Sequence, residues 1–303
     1  MLTSRFSQAA TPLGGVMALL LTPFDADGAI DWPIYDEYVD WQLSQRPSGL
    51  FAVCGTSEMK WLTRPERLAL AERAVARASG VGVPVIATAN LDPDRTQHER
   101  ELCDMAETGV TAVVLVPPSG MGRDQRRLQD YVLRLTEKAP CPVILYEWPQ
   151  VEDYFISPQV FGELASRGRV AGIKDTTCTV EGITAKLNVA ADTVVFQANT
   201  PYLLESLALG VGGIMAVTSA ARCDLVVRLW ESFQTGADDL ETVHQQLVCL
   251  DALLRMAYPA AAKYLVNVQG IEMSTATRWP VHLAGEMGKA LEVWQRATPR
   301  RPL

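Results

Sequence analysis

Two polar side chains close otherwise apolar runs, and their types suit carbonyl chemistry. Lys174 ends VAGIK and Tyr146 ends PVILY. A lysine held among apolar neighbours loses part of its charge, because burial penalises the ammonium form. The neutral amine can attack a ketone and form an iminium. An ion pair with Asp175, or an outward reach to water, are the other placements open to this side chain. A phenol beside such an amine could relay protons while the iminium forms and a carbon–carbon bond breaks. Tyr146 could equally be a core tyrosine with its hydroxyl on backbone. Thr56 and Ser57 follow a third apolar run. Hydroxyls and free amide hydrogens there could hold a small carboxylate, or simply cap the following helix.

The elements that must position these groups repeat along the chain. Apolar runs occur at 16–21, 49–53, 83–88, 111–116, 142–146, 170–173, 193–197 and 213–217, starting 20 to 34 residues apart. Such intervals suit strand, loop, helix and loop, and near-continuous apolarity suits parallel strands covered on both faces. Helical patterns fill the gaps. In 32–46 the apolar stripe is Trp32, Tyr35, Val39 and Leu43. In 63–79 it is Leu68, Ala71, Val75 and Ala78, opened by Thr63, Pro65 and Glu66 in a capping-box arrangement. Further helices are expected at 95–107, 125–138, 158–167, 180–190, 200–209 and 222–234. Eight units favour a closed (β/α)₈ TIM barrel over an open doubly wound sheet. Residues 1–12 read as a loose arm, 13–235 as the barrel, and 236–303 as a C-terminal helical extension with helices near 238–256, 259–267 and 280–297. In a barrel of this kind the active site lies at the carboxyl ends of the strands, where Lys174, Tyr146, Thr56 and Ser57 all fall.

Composition excludes several partners. The 303 residues include 27 basic and 35 acidic side chains, a net charge of −8, without a concentrated basic patch for nucleic acid. No apolar run reaches the roughly 18 residues of a membrane span. The opening MLTSRFSQAATP lacks the apolar core of a secretory signal, and the six cysteines are scattered without a CxxC pair. Reduced thiols and a cytoplasmic location are expected. His98, His244 and His282 are far apart and close no strand, so metal binding is not expected. Asp25-Ala26-Asp27-Gly28 reads as a turn, and Gly210-Val211-Gly212-Gly213 as helix termination followed by strand entry.

Taken in order, these strings resemble the dihydrodipicolinate synthase and N-acetylneuraminate lyase family of class I aldolases. ALLLTPFDADGAID at 18–31 is similar to that family's TPF…G.ID opening, and CGTSEMKWLT at 54–63 to its carboxylate-binding segment. YEWP at 146–149 resembles the tyrosine-bearing YNxP element, and GIKD at 172–175 the lysine-bearing one. The 28-residue separation of Tyr146 and Lys174 fits, as do 197–217 and the stretch from Pro259 to Lys263 with Gly270 beyond, so the resemblance spans 13–292. It implies a barrel with a helical C-terminal domain, assembled as a homotetramer of paired dimers. Lys174 would form a Schiff base with pyruvate or a longer 2-oxo acid, Tyr146 would shuttle protons, and Thr56 and Ser57 would hold the carboxylate. No metal or organic cofactor is implied, because the iminium is the electron sink. Ala198 takes the place of a small pocket residue, Asn199 could offer an amide to a hydroxylated substrate, and Trp148 could line the substrate channel or pack on the next helix.

Departures from the pattern narrow the expected chemistry. Gly55 stands where the synthases carry their first relay hydroxyl, and Pro117-Pro118-Ser119 lacks their second relay tyrosine. Gln150 and Val151 follow YEWP where an arginine for the aldehyde's carboxylate would stand. These losses weigh against lysine biosynthesis. They leave reversible carbon–carbon cleavage or condensation as the leading expectation. A Schiff-base dehydratase of a sugar-derived 2-oxo acid and a non-catalytic keto-acid-binding barrel remain as alternatives.

Overall fold

The computed structural model describes residues 13–147 and 155–300. Its centre is a closed barrel of eight parallel strands in chain order: β1 (Gly15–Leu19), β2 (Gly49–Val53), β3 (Val85–Thr88), β4 (Ala112–Leu115), β5 (Val143–Tyr146), β6 (Gly172–Asp175), β7 (Val194–Gln197) and β8 (Gly213–Ile214). Helices α1 (Trp32–Leu43), α2 (Arg64–Ser79), α3 (His98–Glu107), α4 (Gln125–Lys138), α5 (Pro158–Ser166), α6 (Val180–Leu187), α7 (Leu203–Leu209) and α8 (Ser219–Thr235) cover it. Three more follow: α9 (Leu240–Arg255), α10 (Ala260–Val268) and α11 (Gly285–Ala297). This is the expected (β/α)₈ architecture with additional C-terminal helices. Among the described residues no helix is long and apolar enough to cross a membrane.

Register is what matters for the site. Tyr146 on β5 pairs directly with Lys174 on β6, and Lys174 pairs with Phe196 on β7. Directly paired residues of adjacent strands point to the same face, here the barrel interior, whereas Asp175, one residue on, must face outward. The eighth strand is shorter than its apolar run. Leu19 on β1 gives its N–H to the Ser219 hydroxyl at 3.1 Å, where a continued ladder would offer a β8 carbonyl. Closure against β1 is tight: a Cβ on Gly213 would lie 2.5 Å from the Gly15 carbonyl oxygen and 2.6 Å from the Phe196 ring, so only glycine fits.

The helical stripes differ from expectation in an informative way. The capping box of α2 forms as expected, with the Thr63 hydroxyl accepting from Glu66 N–H and the Glu66 carboxylate from Thr63 N–H. The buried face, however, comprises Arg67, Leu70, Ala71, Ala74 and Ala78, leaving Leu68 and Val75 half-buried. Arg67 goes inward because its guanidinium meets the Leu62 carbonyl at 2.8 Å and Glu101 at 2.6 Å. In α1 the buried set is Tyr35, Tyr38, Val39 and Gln42, with Trp32 and Leu43 displaced from it. Tyr38 and Gln42 both donate to the Ala220 carbonyl, at 2.6 and 2.8 Å, tying α1 to the start of α8. Polar side chains with long-range partners override an apolar count.

Candidate active site

At the carboxyl ends of the strands lies a cup of about 320 Å³. It is lined by Gly55 and Thr56 after β2, Tyr146 on β5, Lys174 on β6, Val217 after β8, Arg255 and Tyr258 around the end of α9, and Trp279. A larger hollow of about 620 Å³, lined in part by Arg95, Tyr131 and Arg134, lies against α3 and α4 and holds none of these groups.

Lys174 is 4% exposed, and its Nζ sits 4.2 Å from the centre of the Tyr146 ring and 5.4 Å from that of Phe51. Among the described residues no carboxylate lies within salt-bridge distance of it. Burial therefore lowers its pKa to about 8. Asp175 makes no pair with it. That carboxylate faces the other way and meets Lys186 of α6 at 2.7 Å. Lys186 also meets Glu147 at 2.5 Å, so the residues following Tyr146 and Lys174 are clamped together behind the barrel wall. The Tyr146 ring packs edge-on against Phe51, and burial raises its phenol pKa, so the hydroxyl stays protonated at neutral pH.

The loop after β2 is a tight turn. Ser57 and Glu58 donate their N–H groups to the Cys54 and Gly55 carbonyls, and Glu58 adopts a left-handed φ of 61°. Among the described residues the N–H groups of Gly55 and Thr56 have no hydrogen-bond partner, and both residues line the cup. Paired free amides in a cup whose described lining carries no acid, with the Glu58 carboxylate of the same turn engaged by Lys263, are a ready seat for a carboxylate. The Thr56 hydroxyl accepts from Tyr258 at 2.6 Å. Ser57 is placed differently: its hydroxyl is fully buried, 2.9 and 2.8 Å from the Leu20 and Ala52 carbonyls, and accepts from Cys54 N–H at 3.0 Å. It shapes the turn and does not line the cup. Ala198 and Asn199 are also outside the lining, and the Asn199 side chain turns back to Gln197 at 3.2 Å. Trp148, Gln150 and Val151 lie outside the described residues.

Three lining residues come from the C-terminal extension and escape a reading by local pattern. Arg255 is held through Asp251 on Thr200 and Tyr258 through its hydroxyl on Thr56, and Glu58 brings in Trp279. Its buried carboxylate accepts from Lys263 at 2.7 Å and from the N–H groups of Arg278 and Trp279 at 2.7 and 2.8 Å. Trp279 then lies against Trp61, ring centres 4.6 Å apart. The usable sequence signal is that Arg255 and Tyr258 fall just past Leu254, where the buried stripe of α9 has run out.

A closed parallel barrel with extra C-terminal helices and a cup at the carboxyl ends of its strands defines a (β/α)₈ protein with a site in the position usual for enzymes of that fold. Residues 12–293 match the Dihydrodipicolinate synthetase family, and the chain belongs to that family. The 4-hydroxy-tetrahydrodipicolinate synthase of Acidithiobacillus ferrooxidans is 30% identical over 271 residues, 88% of this chain and 92% of that protein. Among solved structures, a dihydrodipicolinate synthase from Bacillus anthracis aligns with a TM-score of 0.88 at 26% identity, covering 95% of this chain and 99% of the other. CdNal from Clostridium difficile, solved in complex with mannosamine, shares the fold with a TM-score of 0.86 at 19% identity, over 94% of this chain and 99% of that one.

Proposed function

We propose that this chain is a lyase that captures a 2-oxo acid on Lys174 and cleaves or forms the bond between the carbons α and β to the keto group. The observation that carries the reading is the charge-starved amine of Lys174 sharing one small cup with the unpaired amides of Gly55 and Thr56. The substrate's carboxylate sits on those amides, which points the adjacent keto carbon at Nζ. Attack by the neutral amine gives a carbinolamine, and loss of water gives the iminium. The phenol of Tyr146 donates the proton that lets hydroxide leave as water, and the resulting phenolate can take a proton from the substrate's distal hydroxyl. The bond beyond the α-carbon then breaks, its electron pair flowing into the iminium to give an enamine while the distal fragment leaves as a carbonyl compound. Protonation of the enamine carbon and hydrolysis of the iminium release the 2-oxo acid and restore the amine. Thr56, whose hydroxyl accepts from Tyr258, keeps its own proton to donate to the carboxylate.

Borohydride trapping with intact-mass and peptide analysis tests this. Incubation with pyruvate or longer 2-oxo acids is expected to give one reduced adduct, on Lys174. Absence of an adduct across a broad keto-acid panel overturns the proposal. The pH profile is a sharper readout. With a pKa of about 8, about 10% of the amine is neutral at pH 7, against about 0.03% for an ordinary lysine. The trapping rate should rise about tenfold per pH unit below pH 8 and level off above it. A rate still climbing at pH 10 would mean that the amine is not desolvated.

A further inference from the structure

The cup contains more cationic recognition than a simple 2-oxo acid can use. Arg255 is the last residue of α9, and its Nε meets Asp251, one turn earlier, at 2.5 Å. Asp251 is itself buried and accepts from the Thr200 hydroxyl at 3.2 Å, so the guanidinium is held at its Nε edge by an immobile partner. Among the described residues the two Nη groups make no hydrogen bond, and the side chain lines the cup that holds Lys174. Among the described residues no acidic side chain lines that cup. The α-carboxylate is already provided for by Gly55 and Thr56, on a different element. Although Asp251 takes its Nε edge, the Nη side of the Arg255 fork is left for a further acceptor, and the planar donors of a guanidinium fit a carboxylate through two parallel hydrogen bonds.

We infer that Arg255 is the specificity-determining residue of this site, its Nη fork receiving a carboxylate at the far end of the substrate, which is thus a short 2-oxo dicarboxylic acid. The inference rests on the proposed seating of the keto group at Lys174 for its orientation. The volume of about 320 Å³, at the small end for ligand pockets, suits an acid of about five or six carbons. Asp251 acts as a positioning residue, fixing the edge of the guanidinium that does not face substrate.

The test compares 2-oxoglutarate with 2-oxopentanoate, and 2-oxoadipate with 2-oxohexanoate, pairs equal in length that differ only in the terminal group. Affinity is read by calorimetry and covalent capture by borohydride on the same samples. In the native protein at least one dicarboxylate should bind about tenfold or more tightly than its methyl-ended partner. Arg255→Gln should bring that ratio to within about twofold, and Arg255→Lys should restore part of it. Arg255 itself is more than half exposed, but its removal leaves the buried Asp251 without its cation. The unfolding midpoint of Arg255→Gln is therefore measured alongside, and Arg255→Gln/Asp251→Asn, which removes the stranded charge, should show the same lost preference. Equal affinities in the native protein, or a preference that survives Arg255→Gln, overturn the inference. A preference that depends on Arg255 without covalent capture supports it and refutes the Schiff-base reading instead. Capture without preference refutes the inference alone, and neither binding nor capture refutes both.

Discussion

Lys174→Met is expected to abolish keto-acid capture and turnover while making the protein more stable at neutral pH. Burial lowers the pKa of the amine to about 8 in the folded chain against an ordinary 10.5, with no carboxylate beside it among the described residues. A difference of that size corresponds to about 3 kcal/mol of folding free energy lost at pH 7. Attraction of the ammonium to the Tyr146 ring at 4.2 Å offsets about 0.5–2 kcal/mol of it. Methionine has similar length and no charge, and it would pack on the same Phe51 and Tyr146 rings. The net gain should be about 1–3 kcal/mol in denaturant unfolding at pH 7. The pH dependence fixes the origin. Between pH 8 and 10.5 the unfolded native chain binds more protons than the folded one, so its stability rises with pH across that window. The variant lacks the group and should lose this slope, so its advantage should shrink as the pH approaches 10.5. A variant less stable than the native protein at pH 7 would show that the amine sits in a favourable polar environment, and the nucleophile would then lose its activation.

The pairing of Tyr146 with Lys174 was legible from two apolar runs ending in polar residues 28 positions apart, because parallel strands in neighbouring units come into register. The apolar runs also located all eight strands, since a barrel strand buried on both faces leaves an uninterrupted signature. The side of each helix that turns inward was less legible. Arg67, Tyr38 and Gln42 are buried because each finds a partner distant in sequence, a fact no local period contains. The same limit applies at the cup. Thr56 and Ser57 look alike as neighbouring hydroxyls, yet the turn spends one on backbone carbonyls and leaves the other at the surface of the cavity. Trp279 reaches the site through Glu58, which joins Lys263 and the amides of Arg278 and Trp279 across about 200 residues. Arg255 and Tyr258 are tied in through Asp251 on Thr200 and the Tyr258 hydroxyl on Thr56. Asp175 is a clear case of adjacency misleading: it neighbours Lys174 in sequence and serves Lys186 in space.

Lys186→Met should destabilise the protein by about 3–5 kcal/mol, the expected loss when one member of a buried ionic cluster is removed. Lys186, Glu147 and Asp175 are all 1% exposed or less, and a single ammonium meets both carboxylates. Burial already holds the Glu147 carboxyl above the usual carboxylate range, and Lys186 is the largest influence drawing it back. Backbone donors would remain: Ile156 N–H at 2.8 Å and Thr176 N–H at 3.1 Å on Glu147, and Thr177 N–H at 3.2 Å on Asp175. They cannot neutralise two buried charges. Without Lys186 at least one carboxyl should take up a proton in the folded state well above its unfolded pKa, so the variant's stability should fall as pH rises from about 5 to 8. Unfolding midpoints at those two pH values measure this directly, and adding Glu147→Gln to Lys186→Met should recover part of the loss and flatten the slope. Catalysis should suffer as well, because Glu147 and Asp175 directly follow the tyrosine and lysine of the cup. With the clamp gone, β5 and β6 lose the contact that holds their ends at one height. A loss below about 1 kcal/mol with no pH dependence would show that the backbone donors alone satisfy the cluster, and the alignment of Tyr146 with Lys174 would then rest on the strand ladder itself.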